Sequence, residues 1–90
     1  MRLYLYFSMA TLHILAFGIV KDIFSASSAV INIAESCISC AALKKELEEK
    51  YPQLTRLKSY MIAVNNEYAG DAVIINANDE IAIIPPVSGG

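Results

Sequence analysis

One stretch of this 90-residue chain, residues 40–50, carries the full pattern of an amphipathic helix, and it constrains how the rest can fold. Cys40, Leu43 and Leu47 fall on one side, with Tyr51 or Leu54 continuing the line. Lys44, Lys45, Glu46, Glu48, Glu49 and Lys50 fall on the other, a solvated face in which Glu46 and Lys50 are spaced to pair at i,i+4. Ser39 stands before it as an N-cap, its hydroxyl placed to accept from a first-turn amide. Ala42 holds the place where a capping box would have Glu. Pro52 ends it, because the residue before proline avoids the α region.

The segments around this helix read mainly as short strands. Residues 2–8 alternate as a strand does, with Leu3, Leu5 and Phe7 on one face and Tyr4 and Tyr6 on the other. Residues 9–17 have helical spacing (Met9, Leu12, Leu15 or Ala16), with Gly18 as the stop. Residues 21–28 read as a loop and 29–34 as a second strand. Residues 59–64 form a third strand, Asn65-Asn66 a turn, and 67–69 the return. After a turn at Gly70-Asp71 come an apolar segment, 73–75, and another turn, 76–79, in which Asn78 is a candidate for positive φ. Residues 80–84 are the last strand, with Ile81 and Ile83 on one face and Ala82 and Ile84 on the other. Four or five strands with one main helix on one face of a mixed sheet is an α+β arrangement. The first and last strands are expected side by side at its centre. The other face stays open, with Tyr4, Tyr6, Tyr68 and Ile84 as candidates for a docking surface.

Composition narrows the function classes. The chain is 56% hydrophobic and 18% charged, with a formal charge of -2. That argues against disorder, and against a nucleic-acid partner, which calls for a basic surface. Between Arg2 and Lys21 there is no charged residue. The stretch has a superficial likeness to a secretory signal and a length that raises a membrane-span question. Tyr4, Tyr6, Ser8, Thr11 and His13 dilute it, so the expectation is a cytoplasmic protein with no membrane partner.

Cys37 and Cys40 are spaced C-x-x-C. A closed zinc site needs four ligands, and His13 is the only histidine. We read both as free thiols, with Cys40 a small core residue, and His13 as a packed or surface residue. No metal site is expected.

The C-terminal residues, Pro85-Pro86-Val87-Ser88-Gly89-Gly90, follow directly on the last apolar strand. The prolines hold the root extended and stop the sheet. The glycines make a slim tip that passes where a side chain would clash. A frayed terminus is the plain alternative. Residues 1–84 thus read as the domain and 85–90 as an extended tail.

The whole chain resembles the molybdopterin synthase small subunit family, ubiquitin-like β-grasp sulfur carriers. The resemblance rests on Tyr6-Phe7-Ser8, the helix ending in Tyr51-Pro52, and Ala63-Val64-Asn65-Asn66-Glu67-Tyr68. Above all it rests on Asp79-Glu80, the apolar strand, and Pro85-Pro86-Val87-Ser88-Gly89-Gly90. Gly-Gly alone would also fit carriers for thiamine, tRNA thiolation or cysteine synthesis, or a modifier joined to lysines. The family usually has an Arg-Glu pair in its first helix, where Thr11-Leu12-His13 stands here, and Gly where Asn78 sits.

The resemblance implies a chemistry. An E1-like adenylating partner spends ATP on the carboxylate of Gly90. A sulfur donor such as a cysteine desulfurase or rhodanese then displaces AMP, leaving a thiocarboxylate. The larger synthase subunit receives the tail, and sulfur passes to cyclic pyranopterin monophosphate. Gly90 is the reacting residue, Gly89 gives clearance, and Pro85, Pro86, Val87 and Ser88 set reach and aim. The chain itself is expected to hold no cofactor and no general base; Ser88 lacks a histidine to activate it. A domain of another class, which only interacts through its apolar sheet face, stays open beside this reading.

Overall fold

The computed structural model describes residues 10–57 and 59–86. In these, the chain runs β1 (Ala10–Ala16), α1 (Ile19–Phe24), β2 (Ser28–Ile33), β3 (Cys37–Ser39) and α2 (Cys40–Lys50). A 3₁₀ turn (Pro52–Arg56) follows, then β4 (Met61–Val64), β5 (Glu67–Ala69), β6 (Ile74–Asn76) and β7 (Ile81–Ile84). Among the described residues, five strands form one mixed sheet in the order β2-β1-β7-β4-β5, and β3 pairs with β6 in a separate ribbon. β7 is the middle strand: it runs parallel to β1 (Leu15 opposite Ala82) and antiparallel to β4 (Ala63 opposite Ala82).

α2 matches its sequence pattern end to end. The Ala42 N–H donates to Ser39 Oγ at 3.1 Å, satisfying one of the amides a helix start leaves open. Cys40, Leu43, Leu47 and Leu54 are fully buried beneath the sheet. Each such leucine contributes about 1.5–3 kcal/mol of apolar transfer. The Glu46–Lys50 pair does not form. Lys50 Nζ donates instead to the Val30 carbonyl at 2.9 Å, on the outer edge strand β2. A cation there blunts an edge that would otherwise offer unpaired backbone groups.

The N-terminal half departs from expectation. Residues 10–17 are not helical; residues 10–16 are the strand β1. The segment is apolar at nearly every position, so helical and strand spacing both fit it. Packing decides: Leu12, Ile14 and Ala16 all point into the core, with Thr11, His13 and Leu15 opposite, a strict period of two. The expected loop at 21–28 contains α1, which buries Val20 and Phe24, with the Phe24 ring stacked on Tyr51 at 4.4 Å. Its centre carries the basic-acidic pair Lys21-Asp22. Gly18 does not stop a helix; it is the turn that starts one, with φ 56. The strand expected at 2–8 lies outside the described residues. Its expected pairing with the last strand lies outside them too; among the described residues β1 is the strand beside β7 on that side.

Asn78 is not a positive-φ residue. That conformation falls, outside glycine, on Ser25, Asn65 and Asn66. The Asn65-Asn66 turn is as expected, because two consecutive left-handed residues match the twist of a two-residue hairpin. At 76–79 the Asp79 carboxylate does the turning, accepting from the Asn76 N–H at 2.8 Å. Tying the turn through a side chain removes the need for a left-handed residue.

Candidate functional site: the open sheet face and the root of the tail

One face of the sheet rests on α2. The other carries a row of side chains set by strand register. Ser28 lies opposite Leu15, Leu15 opposite Ala82, Ala82 opposite Ala63, and Ala63 opposite Tyr68. Two alanines at the middle of the row, with leucine and tyrosine on either side, leave a dip. Its volume is about 370 Å³, and Phe17 and Ile84 close it on the side where β7 ends. Asn66 and Glu80 are the polar groups on its rim.

The dip is apolar and shallow, and Tyr68 (68% exposed), Phe17 (45%) and Met61 (44%) stand out around it. Exposed aromatic and methionine side chains around an apolar centre are what a protein–protein contact uses. Among the described residues the face holds no nucleophile beside a base. Among the described residues there is also no cluster of three His, Cys, Asp or Glu side chains able to hold a metal. His13 is exposed on β1, opposite Val30.

Of the four residues expected on this face, Tyr68 and Ile84 are there. Tyr4 and Tyr6 lie outside the described residues. The positions beside β7 belong to Leu15 and Phe17, which the helical reading of residues 9–17 hid. The signal was present as Leu12-Ile14-Ala16 alternating with Leu15-Phe17. Pro85 follows β7 directly and is half-buried, and Pro86 is exposed. Val87, Ser88, Gly89 and Gly90 lie outside the described residues.

The cysteines sit apart from this face. Cys40 is the first residue of α2 and fully buried. Burial pushes its thiol up, partly offset by Lys44, which makes it a poor nucleophile. Cys37 is half-buried in β3, and both are free thiols.

A single main helix laid on a mixed five-stranded sheet, whose centre strand runs out into a Pro-Pro tail, defines a ubiquitin-like β-grasp domain. The crystal structure of SAMP1 from Haloferax volcanii superposes with a TM-score of 0.75 at 20% identity, over 90% of this chain and 100% of that one. A putative molybdopterin converting factor, subunit 1, from Pyrococcus furiosus gives 0.76 at 16%, over 87% and 99%. Sequence carries the likeness further. The chain is 41% identical over 80 residues to the molybdopterin synthase sulfur carrier subunit of Dictyostelium discoideum, covering 86% of this chain and 93% of that one. To the subunit of the same name from Homo sapiens it is 34% identical over 86 residues, 91% and 97% of the two chains. The ThiS family pattern matches residues 14–90. The chain belongs to the ThiS family, in the group of the molybdopterin synthase sulfur carrier subunits.

Proposed function

We propose that this chain carries sulfur for a molybdopterin synthase, as a thiocarboxylate on Gly90. The observation that carries the reading is the 41% identity to a sulfur carrier subunit over 93% of that relative. The exposed apolar sheet face and the Pro85-Pro86 segment that follows β7 also support the reading.

A carboxylate is a poor acyl donor because oxide is a poor leaving group. Reaction of Gly90 with ATP in an activating partner gives the acyl-adenylate and pyrophosphate. The terminal sulfur of a donor persulfide then attacks the acyl carbon and AMP leaves with the C–O electron pair; a thiol attacks the donor-side sulfur of the resulting acyl disulfide, ending in a disulfide with the donor as the thiocarboxylate leaves. Its sulfur passes to the pterin precursor, and the acyl carbon returns to a carboxylate by taking oxygen. Two such transfers build one dithiolene. ATP belongs to the activating partner, and this chain binds no cofactor.

Membership of the group implies a large-subunit partner. On our reading the open face, through Leu15, Phe17, Tyr68 and Ile84, docks on that subunit and, in turn, on the activating enzyme. The tail, residues 85–90, then threads to the reacting centre. Gly89 passes the narrowest point and Val87 and Ser88 line the approach. The sulfur donor is of the cysteine desulfurase or rhodanese kind. Among the described residues no helix is long and apolar enough to cross a membrane. The reading puts the chain in the cytoplasm, where ATP is at hand and thiols stay reduced.

Intact-mass spectrometry tests it. Incubated with an E1-like activating enzyme, ATP and a sulfur donor, the chain should gain the mass difference between sulfur and oxygen at its C-terminal peptide. A Gly89→Val variant, or one residue appended after Gly90, should stay unmodified while folding normally. Sulfuration of either variant at the normal rate, or none of the unaltered chain, overturns the reading.

A further inference from the structure

Where Pro85 leaves β7, its ring rests on the turn between β1 and α1, against Gly18. A methyl group built on Gly18 would stand 3.0 Å from Pro85 Cγ and 4.0 Å from Cδ. The first distance is closer than side-chain carbons pack. Gly18 also has φ 56 and ψ -134. That is close to the mirror image of polyproline II, a conformation barred to L side chains and open to glycine. Two separate requirements therefore meet at one residue: the handedness of the turn and the room for a ring.

We propose that Gly18 is a positioning residue for the tail: its bare Cα is the seat of Pro85, and that seat aims the chain as it leaves the sheet. The inference rests on the sulfur carrier reading above. Its physical basis is stiffness. The Pro85 ring fixes its own φ, and Pro86 confines Pro85 to an extended ψ. With both torsions held, Pro85-Pro86 behaves as a short rod, and the point where its first ring meets the domain sets the rod's direction. An extended chain advances about 3.1 Å per residue in this geometry, so a small tilt at the root is amplified toward the tip.

The seat and the docking face have separable effects. Leu15, Tyr68 and Ile84 offer area to a partner and so affect binding. Gly18 lies against Pro85 at the tail root and bears on how well the bound carboxylate is aligned. Loss of the seat should lower the turnover of adenylation and leave the Michaelis constant for the carrier where it was.

Steady-state adenylation by an E1-like activating enzyme, with the full chain as substrate, tests this. Gly18→Ala introduces both the φ strain and the clash. At a temperature where it is folded by circular dichroism, its kcat should fall about tenfold or more, with KM within about twofold. Pro85→Ala leaves Gly18 and its turn intact, so its folding is not at risk, and it should show the same split. The double variant should be no slower than Pro85→Ala alone, because the seat can be lost only once. An unchanged kcat in Pro85→Ala, or a raised KM with kcat intact in either single variant, overturns the proposal. A nuclear Overhauser contact between the Gly18 Hα and Pro85 Hγ protons of the unaltered chain reads the seat without activity. Its absence overturns the seat; its presence in a chain that is never adenylated overturns the sulfur carrier reading instead.

Discussion

Asn65 and Asp79 clasp two turns to one another: Asn65 Nδ2 donates to Asp79 Oδ1 at 3.1 Å. The clasp has a second strand of bonds on each side. Asn65 Oδ1 accepts from the Glu80 N–H at 2.9 Å, and the Asn65 N–H donates to the Glu80 carbonyl at 2.7 Å. Asp79 Oδ2 takes the Asn76 N–H. The β4–β5 hairpin is thereby fixed to Glu80, the residue just before β7, the strand from which the tail springs.

Asn65 and Asn66 share a left-handed backbone, with φ 53 and 71, but only Asn65 uses its side chain in the clasp. Replacing each by glycine should separate the two roles. Asn66→Gly relieves strain and should leave stability unchanged or raise it by a few tenths of a kcal/mol. Asn65→Gly keeps the turn but removes bonds to Asp79 and Glu80, and should cost about 1 kcal/mol. Urea denaturation of the two variants checks this; equal midpoints would mean the side-chain bonds carry no weight.

The clasp also predicts an acid dependence. The Asn76 backbone N–H, followed by the Asn65 amide, holds the Asp79 carboxyl below its ordinary value. A carboxylate whose folded pKa is depressed contributes stability above its unfolded pKa of about 4 and loses it as pH falls through the folded value. The unaltered chain should therefore lose stability more steeply than Asp79→Asn below about pH 4, and the two curves should run parallel above about pH 6. Denaturation midpoints measured across that range give the slopes.

Tyr60 makes the alkaline counterpart. Its hydroxyl donates to Glu48 Oε2 from a nearly buried position. Burial first, and the Glu48 carboxylate second, push its pKa well above that of an ordinary tyrosine. A raised folded pKa means the contribution is present below the unfolded value near 10 and is lost as pH rises toward the folded one. Ultraviolet titration at the phenolate band should show a late step that Tyr60→Phe abolishes.

Legibility in the sequence followed how much of each segment's pattern was unambiguous. α2 could be bounded because charge and apolar residues alternate at helical spacing between Ser39 and Pro52. The last strand, the Asn65-Asn66 turn, Tyr68 and Ile84 were likewise readable, each from local chemistry. Residues 9–17 were not, because a run that is apolar almost throughout carries no period; only the neighbouring strands β2 and β7 select a strand there. The β3–β6 ribbon was equally hidden, since Cys37–Ser39 and Ile74–Asn76 are too short to announce themselves and exist through one another. Gly18 was visible as a stop signal, but its use as a seat for Pro85 depends on a contact across 67 positions that no local pattern contains.

Leu15 and Ile14 give the sharpest check on β1, since they are neighbours in the chain and on opposite faces of the sheet. Ile14 is fully buried and faces Ile81 in the parallel pair; Leu15 faces Ala82 on the open side. If residues 10–16 are a strand, Ile14→Ala leaves a cavity in the core and should cost about 2–5 kcal/mol. Leu15→Lys puts a charge on a half-exposed position at the rim of the dip and should change stability by less than about 1 kcal/mol. Binding should show the reverse order. At a temperature where both variants are folded, Ile14→Ala should still bind the large synthase subunit, because its loss lies beneath the contact. Leu15→Lys places an unpaired cation in an apolar interface and should weaken binding at least tenfold by calorimetry, with Tyr68→Lys behaving alike. A helix over the same residues would set Leu15 on the same face as Leu12, and Leu15→Lys would then unfold the domain.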